Sequence, residues 1–191
     1  MTNRTRQLAL GFAVILLLLE VSSPANAATA NANVVVQVAA SASISATASV
    51  TLTPPATPFT GDYTGVTLLT FSIRTTPSGG NGSLTVQGHT EFTPGTAGDV
   101  GPTIAGGNLT YSCAASDLTA GTGSGLTGTL TYCGGASQTV NMTTGTNVLT
   151  GIGAKTNAGN DTLNVHWSVP DSAAYNVDTY TATVTFTLTA N

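Results

Sequence analysis

The chain has 191 residues, of which 41% are hydrophobic and only 6% are charged, and its formal net charge is −4. After residue 27 its only basic residues are Arg74 and Lys155. Two cations cannot neutralise the phosphates of a nucleic acid, and they cannot form a polybasic patch on an anionic membrane. The composition therefore argues against both of these partners.

The N-terminus has the pattern of an export signal. Two arginines precede the unbroken apolar run Leu8–Leu19, and the small-residue stretch that follows ends in Ala25-Asn26-Ala27. A positive start, a short apolar run and an A-x-A site are typical of a cleavable secretory signal, whereas a membrane-spanning helix needs about 20 apolar residues. We expect residues 1–27 to be removed and residues 28–191 to form a single secreted domain without a membrane span. An uncleaved N-terminal anchor is the alternative.

The processed chain has several segments that read as strands. Most are short, alternate between apolar and polar residues, and are separated by stretches rich in glycine, proline and asparagine. The last strand is the clearest, because five apolar or aromatic residues alternate with five threonines from Tyr180 onwards. In chain order the main predicted strands are Val34–Val38, Ile44–Thr53, Val66–Arg74, Ser83–Gln87, Leu109–Cys113, Leu126–Tyr132, Val148–Ile152, Leu163–Val169 and Tyr180–Asn191.

One turn signal stands out between two of these strands. Pro77-Ser-Gly-Gly-Asn-Gly82 contains the residues that favour tight turns. We therefore expect Val66–Arg74 and Ser83–Gln87 to pair with each other as a β-hairpin.

These patterns together predict the fold class. About nine short strands, with no amphipathic helix of useful length, favour an all-β antiparallel β-sandwich of the immunoglobulin-like type. A closed barrel is not excluded by strand spacing alone. If an additional irregular strand is present, the Gly-rich stretch Ala114–Gly125 is where we expect it.

Cys113 and Cys133 are the only cysteines. In an exported chain an even pair is most simply a structural disulfide. Closing that loop is expected to stabilise the fold by about 3 kcal/mol in the chain-entropy model.

The sequence offers little catalytic chemistry. His89 and His166 are the only histidines, and no G-x-S-x-G nucleophile elbow is present. His89 and Glu91 are two residues apart, so on a regular strand they would share one face, where a solvated surface is the expected role rather than a metal site. Alternation points His166 towards solvent. We predict a protein that is not an enzyme, with no catalytic, cofactor-binding or metal-ligating residues.

The C-terminal region resembles a known family. Tyr180-x-x-x-Val184-Thr-Phe186-Thr-Leu188 is similar to the C-terminal signature of WxL domains, and Trp167-Ser168-Val169 occupies the place of the first W-x-L element. Val169 replaces the leucine and Phe186 replaces the second tryptophan. The resemblance implies a secreted bacterial cell-surface protein held on the wall, with Trp167, Val169, Tyr180, Phe186 and Leu188 as the motif. From alternation alone, these apolar side chains are expected to pack in a core.

Three functions of different classes follow from these features. The favoured one is a secreted, non-enzymatic protein of the cell surface or extracellular matrix with a structural or adhesive role, associated with the cell wall. The second is a pilus or filament subunit assembled by β-strand donation, because the apolar segment Asn33–Val38 stands near the new N-terminus. The third is a polysaccharide-binding module, suggested by the outward threonines of the last strand. The corresponding partners are cell-wall polysaccharide or like subunits.

Overall fold

The computed structural model describes residues 33–75, 82–122, 124–126, 128–153 and 160–190. The chain divides into two compact units, residues 1–37 and 38–191. The predicted signal segment, residues 1–27, lies outside the described residues, as does most of the predicted turn at 77–82. In the first unit, residues 33–37 have no regular secondary structure.

The described part of the second unit is built from strands. Ten strands are present, against the nine or so expected, and the two helical segments are single 3₁₀ turns at Ala115–Asp117 and Cys133–Gly135. The strands are β1 (Ser41–Ala46), β2 (Asp62–Arg74), β3 (Gly82–Pro94), β4 (Thr110–Ser112), β5 (Leu118–Thr119), β6 (Thr131–Tyr132), β7 (Gln138–Thr139), β8 (Thr146–Ile152), β9 (Asp161–Pro170) and β10 (Tyr180–Thr189).

The strands form two sheets, and every pairing within them is antiparallel. Sheet I has the order β1-β2-β9-β4-β7, with β5 pairing β9 beyond the end of β4. Sheet II has the order β10-β3-β8-β6. The apolar faces of both sheets contribute to one core, so the all-β, sandwich-like arrangement expected from the alternation is confirmed.

The core follows the period-2 pattern of the sequence. Leu69, Phe71 and Ile73 of β2 are buried, while their immediate neighbours along the strand are half-buried or exposed. Leu84 and Val86 of β3 are buried in the same core from the side of sheet II. Other fully buried members are Ile104, Tyr111, Val140, Val148, Leu149, Ile152, Leu163 and Val165.

The expected hairpin between β2 and β3 is wrong. β2 pairs with β1 and β9 in sheet I, whereas β3 pairs with β10 and β8 in sheet II. The two strands therefore face each other across the core instead of sharing a ladder. An amphipathic strand can bury its apolar face in either arrangement, so the turn signal predicts a reversal but not the sheet that receives the returning strand.

The expected strand Val34–Val38 is also wrong. Residues 33–40 have no regular secondary structure, and the first strand begins at Ser41. The four valines of this segment are exposed. A strand requires backbone partners for its N–H and C=O groups, and β-branched composition alone does not supply them.

Candidate functional site

The motif residues of the C-terminal region occupy the core and one sheet edge. Trp167 and Val169 lie on the inner face of β9 and are 4% and 3% exposed. Phe186 and Leu188 lie on the inner face of β10, where they are half-buried and pack against the same core. The expectation that these side chains pack in the core is confirmed.

Trp167 connects the two sheets. Its ring lies 6.0 Å from the ring of Phe186 in sheet II and 6.1 Å from that of Tyr111 in sheet I, centroid to centroid, and both pairs are tilted. Such geometries are favourable for aromatic pairs. The Trp167 Nε1–H donates to Thr67 Oγ1 at 2.7 Å, and Thr67 is itself buried. Each polar group therefore satisfies the other inside the core.

Tyr180 has a different role from the other motif residues. Its hydroxyl oxygen lies 2.7 and 2.9 Å from the backbone carbonyl oxygens of Val100 and Asn176, which share its single proton. The ring covers Gly101, where an added Cβ would come within 2.0 Å of a ring carbon. Desolvation, followed by the nearby carboxylates of Asp99 and Asp178, raises the pKa of the Tyr180 hydroxyl. Tyr180 thus fastens two loops to the start of β10.

Cys113 and Cys133 form a disulfide, with their Cα atoms 5.4 Å apart. Cys113 follows β4 of sheet I, and Cys133 follows β6 of sheet II. The bridge therefore joins the two sheets on the side formed by β4 and β6. The opposite side, where β1 and β10 approach each other, has no bridge, because these are the only cysteines of the chain.

His89 and Glu91 were expected to share a solvated face of β3, and they do not. β3 has two irregularities opposite Thr181–Val184, and these break the alternation at His89 and Glu91. His89 is exposed, whereas the Glu91 carboxylate accepts backbone N–H groups from Ile104 and Ala105. Desolvation raises the pKa of Glu91, but the hydrogen bonds from the backbone outweigh it and the pKa is lowered. Glu91 is a structural anchor for the loop that follows β3.

His166 points to solvent, as expected, but it has a partner that sequence reasoning missed. Its Nε2 lies 2.8 Å from Asp117 Oδ1, and the two residues are 49 positions apart. The hydrogen bond with His166 is the main cause of a lowered pKa for Asp117. Ser112 is the direct neighbour of His166 in the β4–β9 ladder. Among the described residues, Ser112 makes no hydrogen bond to the imidazole, so a relay from a serine nucleophile is not assembled.

The outer face of sheet II is a neutral, hydroxyl-rich surface. β10 contributes an exposed row of five threonines, and β3 contributes a second row directly beside it. Neighbouring rows in a sheet are about 4.8 Å apart. In register, Thr181, Thr183, Thr185, Thr187 and Thr189 lie opposite Thr93, Thr90, Gln87, Thr85 and Ser83.

Asp161 is a fully buried carboxylate at the start of β9. Its Oδ1 accepts the backbone N–H of Gly121 at 2.8 Å, while Oδ2 has no hydrogen-bond partner among the residues that the structure describes. Asp161 thus holds Gly121, which follows β5, against sheet I. Nothing in the local sequence signals this contact, because the two residues are 40 positions apart.

Within the residues that the structure describes, no cluster of three or more His, Cys, Asp or Glu side chains could hold a metal ion. No helix in this part of the chain is long and apolar enough to cross a membrane.

No protein-family model, curated protein or solved structure matches this chain.

Proposed function

We propose that this protein is a secreted, non-enzymatic protein of the cell surface or extracellular matrix, in which an immunoglobulin-like sandwich has a structural or adhesive role. The polysaccharide of a cell wall is its proposed partner. The supporting features are the export signal in the sequence, the disulfide between the sheets and the neutral outer face of sheet II.

The outer face of sheet II is the observation that carries the adhesive role. The β10 row offers threonine hydroxyls, which both donate and accept hydrogen bonds, as sugar hydroxyls do. In the β3 row, Thr90, Gln87 and Thr93 already hydrogen-bond within the chain, so the β10 row supplies most of the free groups. Neither row contains a charged residue, so contact with a neutral polymer requires no desolvation of charge. The motif aromatics Trp167 and Phe186 face the core instead, so binding through an exposed tryptophan is not part of the proposal.

Sedimentation with purified cell-wall polysaccharide tests this role. The processed protein is expected to sediment with the polysaccharide, and Thr185→Glu is expected to weaken that binding at least tenfold, because it adds a charge to the centre of the face. Thr64→Glu is the matched control, since Thr64 is also an exposed strand threonine but belongs to sheet I. Absence of wild-type binding, or equal losses in both variants, would refute the adhesive role of this face.

The non-enzymatic part of the proposal has its own test. His166 and Asp117 are the titratable pair best placed for chemistry, since they are in contact and accessible from solvent. A broad screen with hydrolase substrates is expected to detect no turnover above background. Turnover that disappears in Asp117→Asn or His166→Gln, while both variants melt like the wild type, would overturn this part.

A filament subunit assembled by strand donation is the second candidate. The observation in its favour is the exposure of Val34, Val35 and Val36, at 86%, 81% and 76% of their surface. Exposed apolar residues in a row mark an interaction site, and an extended segment can complete a sheet in a neighbouring molecule. Electron microscopy of the processed protein tests it: filaments or short chains are expected, and monodisperse monomers at high concentration would refute it.

A further inference from the structure

β10 is an open sheet edge without protection. Among the described residues it pairs with β3 alone, so half of its backbone N–H and C=O groups lack a ladder partner. Proteins usually guard such edges with charges, prolines or short strands. β10 is ten residues long and consists only of Tyr, Thr, Ala, Val, Phe and Leu. An edge of this composition is suited to pairing with another strand.

The inner face of β10 is also less covered than that of β9. Val184, Phe186 and Leu188 are half-buried, although they pack against the common core. The corresponding β9 residues, Leu163 and Val165, are fully buried. Within the described ranges, β9 has strands on both sides, whereas β10 has a strand on one side only. In the part of the chain that the structure describes, no strand of sheet II covers these three side chains on the open side of β10.

The N-terminal arm, Asn33–Val38, has the complementary properties. It carries no charge, and its valines are 64% to 86% exposed. In an extended conformation Val34, Val36 and Val38 project to one side, and Val35 projects to the other. Six extended residues span about 20 Å, which matches six residues of β10. The arm supplies both the backbone groups and the apolar row that the open edge lacks.

We propose that the N-terminal arm of one molecule pairs along the free edge of β10 in a second copy, extending sheet II by one strand. Val34, Val36 and Val38 then cover Val184, Phe186 and Leu188 of the acceptor. This inference rests on the strand-donation candidate and adds the acceptor strand to it. Since each copy has one arm and one open β10 edge, the contact is head-to-tail and generates chains.

Hydrogen exchange and sedimentation on the processed wild-type protein give the first test. As the concentration rises, the arm and β10 are expected to gain amide protection together, in step with the formation of oligomers. Protection of β10 without the arm would show edge-to-edge pairing and overturn the inference. Protection of the arm without β10 would place the acceptor elsewhere and also overturn it. Persistent monomers would instead refute strand donation as a whole.

Charged variants on the two sides give the second test. Val36→Asp in the arm and Leu188→Asp in β10 are each expected to weaken association at least tenfold. Val35→Asp and Thr187→Asp are the matched controls, because they place the same charge on the opposite face of the same strand. Val35→Asp is expected to associate more strongly than Val36→Asp, and Thr187→Asp more strongly than Leu188→Asp. Circular dichroism melts identify any variant that fails to fold. In place of such a variant, the hydrogen-exchange data on the wild-type protein test the proposal.

Mixing the two defective variants separates head-to-tail donation from symmetric pairing. Val36→Asp retains a functional acceptor edge, and Leu188→Asp retains a functional arm. The mixture is therefore expected to form heterodimers that do not grow further, although each variant alone is monomeric. A mixture that stays monomeric while wild-type protein forms chains would overturn the assignment of arm and acceptor.

Discussion

Removing the disulfide is expected to lower the free energy of unfolding by about 3 kcal/mol. The double substitution Cys113→Ala and Cys133→Ala eliminates the bridge without leaving a buried hydroxyl. The bridge closes a loop with a sequence separation of 20 residues. In the chain-entropy model, a loop of this length loses about 11 cal/mol/K of unfolded-state entropy, which gives about 3 kcal/mol at 25 °C.

The position of the bridge also predicts which part of the fold loosens first when the bridge is removed. Cys133 is fully buried, and the bridge connects sheet I to sheet II on the side of β4 and β6. β4 and β6 are only three and two residues long, so strand pairing holds this side weakly. Loss of the bridge is therefore expected to loosen this side first, before the long strands β2, β3, β9 and β10 separate.

Urea titration monitored by tryptophan fluorescence measures the effect, since Trp167 is the only tryptophan and is buried in the core. The midpoint should fall, and the denaturant slope should rise because the unbridged unfolded chain exposes more surface. Reductant should shift the wild type to the behaviour of the variant and leave the variant unchanged. A loss below about 1 kcal/mol, or a wild type indifferent to reductant after unfolding, would refute the reasoning.

Three further predictions concern single residues. Trp167→Phe leaves the buried Thr67 hydroxyl without its donor and opens space in the core, so urea titration should show a loss of about 2–4 kcal/mol; adding Thr67→Val should recover part of it. Glu91→Gln should cost about 1 kcal/mol near neutral pH. The pKa of Glu91 is lowered by folding, so its contribution to stability is complete above the unfolded pKa and is lost as the pH falls through the folded pKa. Variant and wild type should therefore converge in acid titrations once the pH lies below the folded pKa, and a constant gap would contradict this. Gly101→Ala should cost about 1–3 kcal/mol in thermal melts, because the new Cβ would meet the Tyr180 ring at 2.0 Å and that ring is held through its hydroxyl.

The sequence predicted those features that depend on local alternation. The burial of Val165, Trp167 and Val169 and the alternation along the last strand follow from a period of two, which any sheet with one buried face must show. The pairing of Cys113 with Cys133 followed from the absence of any other cysteine. These inferences needed no knowledge of which strands are neighbours.

Features that depend on strand neighbours could not be predicted in the same way. The crossing from β2 to β3 joins different sheets, and a turn signal is compatible with either outcome. The contact between His166 and Asp117 joins residues 49 positions apart. Glu91 was misassigned because the rule that residues i and i+2 share a face fails at a bulge, and bulges leave no mark in this sequence.

Cell fractionation combined with intact-mass measurement tests the central claim most directly. In the native cells, the protein is expected in the surface or extracellular fraction, starting at residue 28 and lighter by two hydrogens than the reduced chain because Cys113 and Cys133 are bridged. Protein that remains inside the cell, retains residues 1–27 and carries two free thiols would contradict the account of a secreted, bridged surface protein.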